Sequence, residues 1–191
     1  MPSHIIMVAG LPGTGKTTAA ERLESGLEYD LHTVLGIRRE FDHKKYSLKQ
    51  DPTVFAELYE RVRKSLQNGT GVIVDTANKE RSGRKKIYDI ALYYDSDVVI
   101  LECYCSEMTA KKRMRSKPKS DGLVTDPRDP RVYEKLAMKW EDIQHDMECF
   151  PDYPLSYLRY NTEIKDMEEV RVSPETKPLV NSIKQILSEQ D

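Results

Sequence analysis

One stretch near the start of the chain combines glycines, a lysine and hydroxyl side chains at the spacing of a phosphate-binding loop. Residues 10–17 have the sequence GLPGTGKT, which satisfies the pattern G-x-x-x-x-G-K-[ST] in full. Glycines let successive backbone N–H groups turn inward around an anion, which then lies at the positive end of the following helix. The residues that we expect to bind nucleotide here are Leu11, Pro12, Gly13, Thr14, Gly15, Lys16, Thr17 and Thr18.

Two side chains of this loop, and one carboxylate further along the chain, suit a triphosphate and its metal ion. Lys16 supplies a point charge for the β- and γ-phosphates, and the Thr17 hydroxyl can ligate a Mg²⁺ shared with them. Asp75 ends a buried-looking apolar run and is placed to hold that ion directly or through water, although it could instead cap the turn that follows. We expect ATP as the nucleotide, since no Asn-Lys-x-Asp guanine motif occurs.

Arginines at two places could neutralise charge on opposite sides of a transferred phosphoryl group. Arg113 lies in the basic segment 111–119, which leads into a stretch rich in helix breakers. We expect a lid-like loop at about 116–130, with Arg113 catalytic; the plain alternative for such a basic run is a solvated helix face. Arg38 and Arg39 follow the second predicted strand, where an acceptor would enter, and we expect Arg38 to hold that acceptor.

Apolar runs alternate with helical patterns, so the elements that position these residues can be assigned. Strands that alternate with helices predict an α/β fold of three layers, α/β/α, in which helices cover both faces of a mostly parallel five-stranded sheet. The carboxyl ends of parallel strands share one edge, so the functional residues should meet in one crevice. The predicted strands begin at about His4 and then cover Leu31 to Leu35, Gly71 to Asp75, Asp97 to Cys103 and Leu155 to Tyr160.

Capping residues mark where several helices should begin. Ser106 can cap a helix over 107–116, and Asp51-Pro52 supplies an N-cap with a proline at the first helical position. Asp129-Pro130 does the same. We predict one long helix from there, because five apolar residues recur on one face: Val132, Leu136, Trp140, Ile143 and Met147.

Length and composition bound the class of protein. A chain of 191 residues predicts a single domain over 1–191. With 30 basic and 32 acidic residues the net charge is −2, so a nucleic-acid substrate would need a local basic patch. Three cysteines, and no apolar run long enough to span a membrane, predict a cytoplasmic protein without a membrane partner. The cysteines and four histidines lack zinc-ligand spacing. The oligomeric state stays open.

Together these features resemble the small P-loop kinases of the polynucleotide kinase and zeta-toxin group. The likeness spans most of residues 5–162 and rests on the phosphate loop, the sequence VIVDTAN, the arginine-rich helix and the loop after it. The resemblance implies that Asp75 belongs to an Asp-Thr/Ala-Asn cluster at the end of the third strand. It also implies that Arg113 is the lid arginine and that adenine contacts follow the fifth strand, at Asn161 and Thr162.

The second strand departs from the pattern of that group. In these kinases the strand leads into an Asp-x-x-Arg type sequence, whose aspartate activates the acceptor hydroxyl. Here Leu35-Gly36 stands where the aspartate would align, although the arginines are kept. Asp42, Glu40, His32 and Asp75 are the alternatives for the base. Phosphoryl transfer depends chiefly on positioning and charge neutralisation, so an absent base would slow such an enzyme without forbidding it.

The expected function is therefore ATP- and Mg²⁺-dependent transfer of the γ-phosphoryl group to a hydroxyl acceptor. An RNA or DNA end, including that of a tRNA, is one candidate acceptor, and a small metabolite, nucleoside or antibiotic is another. Outside the kinase class, the chain could be a nucleotide-switched binding module without an acceptor or an NTPase coupled to a partner. The missing aspartate favours the binding module, whereas the acceptor-side arginines and the lid-like loop favour a kinase.

Overall fold

The computed structural model describes residues 3–41, 51–117 and 128–189. Within these ranges the strands are β1 His4–Ala9, β2 Asp30–Thr33, β3 Val72–Asp75, β4 Asp97–Tyr104, β5 Leu155–Asn161 and β6 Asp166–Arg171. The helices there are α1 Lys16–Leu27, α2 Val34–Glu40, α3 Asp51–Gln67, α4 Arg81–Tyr93, α5 Glu107–Ser116, α6 Pro130–Ala137, α7 Gln144–Cys149 and α8 Lys177–Ser188. None of these helices has the length and apolar character needed to cross a membrane.

All six strands of the described chain belong to one sheet, in the order β2-β3-β1-β4-β5-β6. Strands β1 to β5 pair in parallel, and β6 pairs antiparallel with β5. The predicted α/β class with a mostly parallel sheet is confirmed, but the strand number is six rather than five. The sequence of β6, DMEEVR, has no continuous apolar run because this edge strand is largely solvent-accessible.

The central strand β1 explains why the sheet is covered on both faces. Its residues alternate between two apolar clusters, with Ile5 and Met7 in one and Ile6 and Val8 in the other. The first cluster includes side chains from α3 and α4, and the second includes side chains from α1 and α8. A parallel strand buried on both faces needs an uninterrupted apolar sequence, which is the pattern that identified β1.

Strand β2 ends earlier than predicted. It stops at Thr33, and the Thr33 hydroxyl accepts a hydrogen bond of 2.8 Å from the Gly36 backbone N–H, which caps α2. The predicted strand over 31–35 is therefore wrong in its last two residues, because a hydroxyl N-cap outweighs the apolar pattern of Val34 and Leu35. Arg38 consequently lies on α2.

The long helix predicted from Pro130 is two short helices, α6 and α7. Between them, the backbone N–H of Glu141 donates to the carbonyl of Lys79 at 2.9 Å. The Asp142 carboxylate then accepts from the Gln144 backbone N–H at 2.9 Å and starts α7. The prediction of one helix was wrong because a bond to a distant segment replaces the intrahelical bonds that the periodic pattern implies.

Two capping predictions are confirmed. Helix α5 has the predicted bounds, and the Ser106 side chain accepts from the Thr109 backbone N–H at 3.3 Å. At the start of α6 the Asp129 carboxylate accepts from the Arg131 backbone N–H at 3.0 Å. The lid-like loop predicted at about 116–130 lies mostly outside the described residues.

Candidate functional site

The phosphate loop connects β1 to α1 at the carboxyl edge of the sheet. Gly10, Gly13 and Gly15 have φ values of 141°, 79° and 91°, which L side chains rarely adopt. At Gly13 a Cβ atom would also lie 2.3 Å from the carbonyl oxygen of Ala110 on α5. The glycine at this position is therefore required both by its dihedral angles and by the close approach of a neighbouring helix.

We expect Gly13→Ala to lower the free energy of unfolding by about 2–5 kcal/mol, the sum of left-handed strain and overpacking against the α5 backbone. Gly69→Ala is the matched control, because Gly69 has a similar φ of 76° but nothing within 4 Å of the added Cβ. It should lower stability by only about 1 kcal/mol. Urea unfolding of both variants measures the difference, and equal losses would contradict the role of the close contact.

Lys16 lies at the first position of α1, and its side chain extends back over the phosphate loop. Its Nζ donates a hydrogen bond of 2.9 Å to the carbonyl of Leu11, which also accepts from the Thr14 hydroxyl at 2.8 Å. Burial lowers the pKa of Lys16, while the nearby carboxylate of Asp75 acts in the opposite direction. The site thus holds a partly desolvated ammonium group, an arrangement that favours an anionic ligand.

Thr17 and Asp75 form the oxygen pair that the sequence predicts for a metal ion. The Thr17 hydroxyl donates to Asp75 Oδ2 at 2.8 Å, and the Asp75 residue is only 8% exposed. In the sheet, Asp75 lies beside Val8 of β1 and Thr33 of β2, so three parallel strands place it next to the loop. A hydroxyl and a carboxylate oxygen are hard donors that suit Mg²⁺, which takes few protein ligands and keeps several waters.

A cavity of about 770 Å³, the first cavity, opens over the phosphate loop and is large enough for a nucleoside triphosphate. The structure brings together in its wall most of the residues that the sequence predicts: Pro12, Gly13, Gly15, Lys16, Thr17, Thr18, Arg38, Asp75 and Arg113. Leu11, Thr14 and Asn161 do not line it. Leu11 and Thr14 contribute instead to the hydrogen bonds inside the loop.

Arg113 is connected to the phosphate loop through one intermediate residue. Its Nη1 donates to the Thr162 hydroxyl at 2.7 Å and its Nη2 donates to the Thr162 carbonyl at 3.1 Å. The same hydroxyl donates to the carbonyl of Thr14 at 2.7 Å. The guanidinium is thereby fixed in the cavity wall at the end of α5, on the side of β5.

Arg38 lies on the opposite side of the first cavity and is 4% exposed. It forms an ion pair with Asp51, the first residue of α3. Asp51 lines a second cavity of about 700 Å³ between α3 and α4, which also includes the segment 76–80. Thr76 and Ala77 line both cavities, so the two cavities are neighbours at the residues that follow Asp75. The sequence shows Asp51 only as a helix cap, because its pairing with Arg38 arises from the fold.

The other predicted alternatives for the base lie elsewhere. Glu40 forms an ion pair with Arg61 of α3, and His32 Nε2 lies 3.1 Å from the Ser65 hydroxyl. Neither Glu40 nor His32 lines either cavity. Asp42 lies outside the described residues. Leu35 is in the wall of the first cavity, where it presents an apolar side chain beside Val34.

Asn161 closes the turn between β5 and β6. Its side-chain oxygen accepts from the backbone N–H groups of Glu163 at 3.0 Å and Ile164 at 3.4 Å. The neighbouring cavity wall includes Thr162 and three residues that the sequence analysis did not assign to the site: Arg22, Lys165 and Leu187. Lys165 lies in the turn before β6 and Leu187 near the end of α8, so the fold rather than a binding motif brings them to the cavity.

Comparison with protein families decides where the chain belongs. The sequence profile of the family described as chromatin associated protein KTI12 matches residues 1–185. The chain belongs to the KTI12 family. No match was found among curated proteins.

Solved structures resemble this KTI12-family chain over nearly its whole length. Kti12 of Chaetomium thermophilum, in complex with ADP-AlF3, has 22% identity and a TM-score of 0.63 over 97% of this chain and 100% of that one. A proposed kinase from Chloroflexus aurantiacus has 18% identity and a TM-score of 0.68 over 97% and 98%. A chain of the Pnkp1/Rnl/Hen1 RNA repair complex has 18% identity and a TM-score of 0.61 over 80% and 47%. The predicted three-layer fold of P-loop NTPases is confirmed.

Proposed function

We propose that this KTI12-family protein binds ATP with Mg²⁺ in the first cavity and transfers the γ-phosphoryl group to a hydroxyl of an acceptor in the second cavity. The observation that carries the proposal is that the two cavities, of about 770 and 700 Å³, share Thr76 and Ala77 beside Asp75. A nucleotide gripped by the phosphate loop and a second molecule between α3 and α4 would therefore meet at the end of β3.

Each candidate residue has a distinct role in this proposal. The loop amides and Lys16 hold the β- and γ-phosphates, and Thr17 and Asp75 would hold Mg²⁺. The ion, when bound, neutralises phosphate charge. Arg113 from the side of β5 and Arg38 from the side of β2 add positive charge around the transferred group, which is where charge neutralisation lowers the barrier most.

The reaction exchanges one phosphorus–oxygen bond for another. The acceptor oxygen bonds to the γ-phosphorus as the bond from that phosphorus to the β–γ bridging oxygen breaks, and ADP leaves. The hydroxyl proton passes to a carboxylate or to water. Asp75, which lines the first cavity, and Asp51, which lines the second, are two carboxylates available to accept it.

An NTPase that transfers the phosphoryl group to water is the second candidate function. It is favoured by Leu35, an apolar residue in the cavity wall on the side where the resembling kinases have an activating aspartate. The solved Kti12 structure contains ADP-AlF3. Both candidates need the same nucleotide site and differ only in the acceptor.

Incubation with γ-labelled ATP and Mg²⁺ separates the two candidates. The acceptor pools are 5′-hydroxyl RNA, 5′-hydroxyl DNA, nucleosides and small hydroxyl metabolites. Label on one of these acceptors is the result that the kinase proposal predicts. Label appearing only as free phosphate would favour the NTPase, and unconsumed ATP under all conditions would contradict both.

We expect Arg113→Ala to lower turnover of ATP by about 10- to 100-fold, because its charge is needed most in the transition state. The Kd for ATP should change by less than about threefold. Arg115→Ala is the matched control, since Arg115 lies on the same helix but outside the first cavity. Steady-state kinetics and ATP titrations of both variants measure this, and equal turnover of the two variants would remove the assigned role.

A further inference from the structure

A charged cluster centred on two fully buried residues connects α4 to α7. Arg84 and Asp146 each have 0% exposure. The Asp146 carboxylate accepts from Arg84 Nε at 2.6 Å and from Arg84 Nη2 at 2.8 Å. It also accepts from the Tyr88 hydroxyl at 2.7 Å and from Arg81 Nε at 3.0 Å. The carboxylate is thus fully engaged by side chains of a single neighbouring helix.

The remaining guanidinium nitrogen of Arg84 binds a backbone carbonyl next to the candidate site. Arg84 Nη1 donates to the carbonyl of Asn78 at 2.9 Å. Asn78 has a left-handed φ of 48°, and its side-chain amide donates to the carbonyl of Val8 at 2.9 Å. Next to it, the carbonyl of Ala77 accepts from the Gly10 backbone N–H at 3.3 Å. A continuous series of bonds therefore runs from α7 to the first residues of the phosphate loop.

Stability alone does not account for such a cluster. Removing two charges from water carries a desolvation penalty, and well-packed apolar residues often replace a buried ion pair without loss of stability. The best-attested use of a buried pair is to fix one geometry among several. Only an arginine fork can bind both oxygens of a carboxylate and still donate to a backbone carbonyl, which here belongs to Asn78.

The geometry that this cluster fixes is that of the segment 76–80. All five of its residues line the second cavity, and Thr76 and Ala77 also line the first. The connection between α6 and α7 adds another restraint, because the Glu141 backbone N–H donates to the carbonyl of Lys79 at 2.9 Å. The segment is therefore held at two consecutive carbonyls, that of Asn78 by α4 and that of Lys79 by the connection between α6 and α7.

We propose that Arg84 and Asp146 form a positioning unit, which holds the segment 76–80 at the junction of the two cavities so that phosphoryl transfer can occur there. The expected effect on ATP turnover rests on the proposed function, whereas the expected effect on hydrogen exchange in this segment does not. Neither residue lines a cavity, so both act through the backbone of Asn78.

Arg84→Lys tests the unit, because a single ammonium keeps the charge but cannot bind both carboxylate oxygens and the Asn78 carbonyl. We expect amide hydrogen exchange in the segment 76–80 to accelerate by about fivefold or more, the effect of losing one hydrogen bond. Turnover of ATP should fall roughly 10- to 100-fold, while the KM for ATP stays within about twofold. Exchange is measured by mass spectrometry on the full chain, and turnover by steady-state kinetics.

Tyr88→Phe is the matched control, since it removes one donor to the Asp146 carboxylate and leaves the bond to Asn78 in place. We expect this variant to lose stability but to keep the wild-type exchange in the segment and the wild-type turnover. Wild-type exchange in the segment in Arg84→Lys would overturn the proposal. The same loss of turnover in both variants would also overturn it, because a merely structural role predicts that result.

A second variant keeps the proposal testable if Arg84→Lys does not fold. Asp146→Asn keeps the shape of the side chain but leaves only one oxygen to accept from Arg84, so the guanidinium is held less firmly against the Asn78 carbonyl. We expect the same acceleration of exchange in the segment and the same fall in turnover, and wild-type behaviour would overturn the proposal. If the wild-type protein turns over no ATP at all, the proposed function fails, and the exchange measurement still decides the positioning role.

Discussion

Replacing Lys16 with alanine is expected to remove measurable ATP binding and to lower ATP turnover by at least about 100-fold. The substitution deletes the one ammonium group of the phosphate loop. In the proposed complex this group would lie against the β- and γ-phosphates and stabilise the negative charge that develops as the bond between them breaks. Calorimetric titration with ATP and steady-state kinetics measure the two effects. Lys165→Ala is the matched control, because Lys165 lines the same cavity but lies in the turn before β6. It should retain binding.

The same substitution should leave the free protein at least as stable as the wild type. Burial lowers the pKa of Lys16 from its ordinary value of 10.5. Between the lowered pKa and 10.5 the unfolded chain binds more protons than the folded one, so stability rises with pH across that window. Below the lowered pKa the penalty for the buried charge is fully present, and alanine removes it. The Leu11 carbonyl keeps its bond from Thr14.

These two expectations separate binding from folding in one thermal denaturation experiment. The Tm of free Lys16→Ala should equal or exceed that of the wild type, and the increase in Tm that ATP gives the wild type should be absent. A large fall in the Tm of the free variant would contradict the view that Lys16 is retained for its ligand. An ATP-dependent increase of wild-type size would contradict its role in the site.

Replacing Asp75 with asparagine is expected to lower Mg²⁺-dependent turnover by at least about 100-fold, with a smaller effect on folding. The carboxylate is the acidic member of the oxygen pair at the end of β3, and asparagine keeps its shape but not its charge. Turnover measured as a function of Mg²⁺ concentration should show that the variant needs far more of the ion. An unchanged Mg²⁺ dependence would remove the metal role of Asp75.

Thr17 supplies the matched pair of variants for this prediction. Thr17→Ser keeps the hydroxyl that donates to Asp75 and should retain most of the turnover and its Mg²⁺ dependence. Thr17→Val keeps the shape but removes the oxygen, and it should behave like Asp75→Asn. Equal turnover of the serine and valine variants would show that the hydroxyl contributes nothing to the metal site.

Much of the fold and of the nucleotide site could be predicted because the relevant interactions are local. The phosphate loop is eight consecutive residues whose glycines are required by their own dihedral angles. The three apolar residues before Asp75 indicate a strand that is buried on both faces. Ser106 caps α5 from the position just before the helix. In each case the residues that determine the structure lie within one or two turns of each other, so their spacing is sufficient.

The features that could not be predicted depend on contacts between distant parts of the chain. The bond from Glu141 to Lys79 divides a helix that the apolar pattern predicts as continuous. The pair of Arg38 with Asp51, and that of Arg84 with Asp146, join residues on different helices. Nothing in the local sequence distinguishes these charged residues from those on a solvated surface, so only the fold shows that they are paired.

Membership of the KTI12 family and the P-loop kinase fold do not by themselves identify an acceptor, because one fold carries many activities. The proposal for phosphoryl transfer depends on particular residues around two neighbouring cavities. Its acceptor side is formed by α3, by α4 and by the segment 76–80. Variants in that segment therefore test the acceptor side, whereas variants in the phosphate loop test the nucleotide side.

Calorimetric titration of the protein with ATP, in the presence and absence of Mg²⁺, tests the central claim most directly. We expect saturable binding with a Kd of about 1 mM or tighter that strengthens when Mg²⁺ is present and disappears in Lys16→Ala. The absence of binding heat with both ATP and GTP at millimolar concentrations, with Mg²⁺ present and the protein folded, would contradict the account.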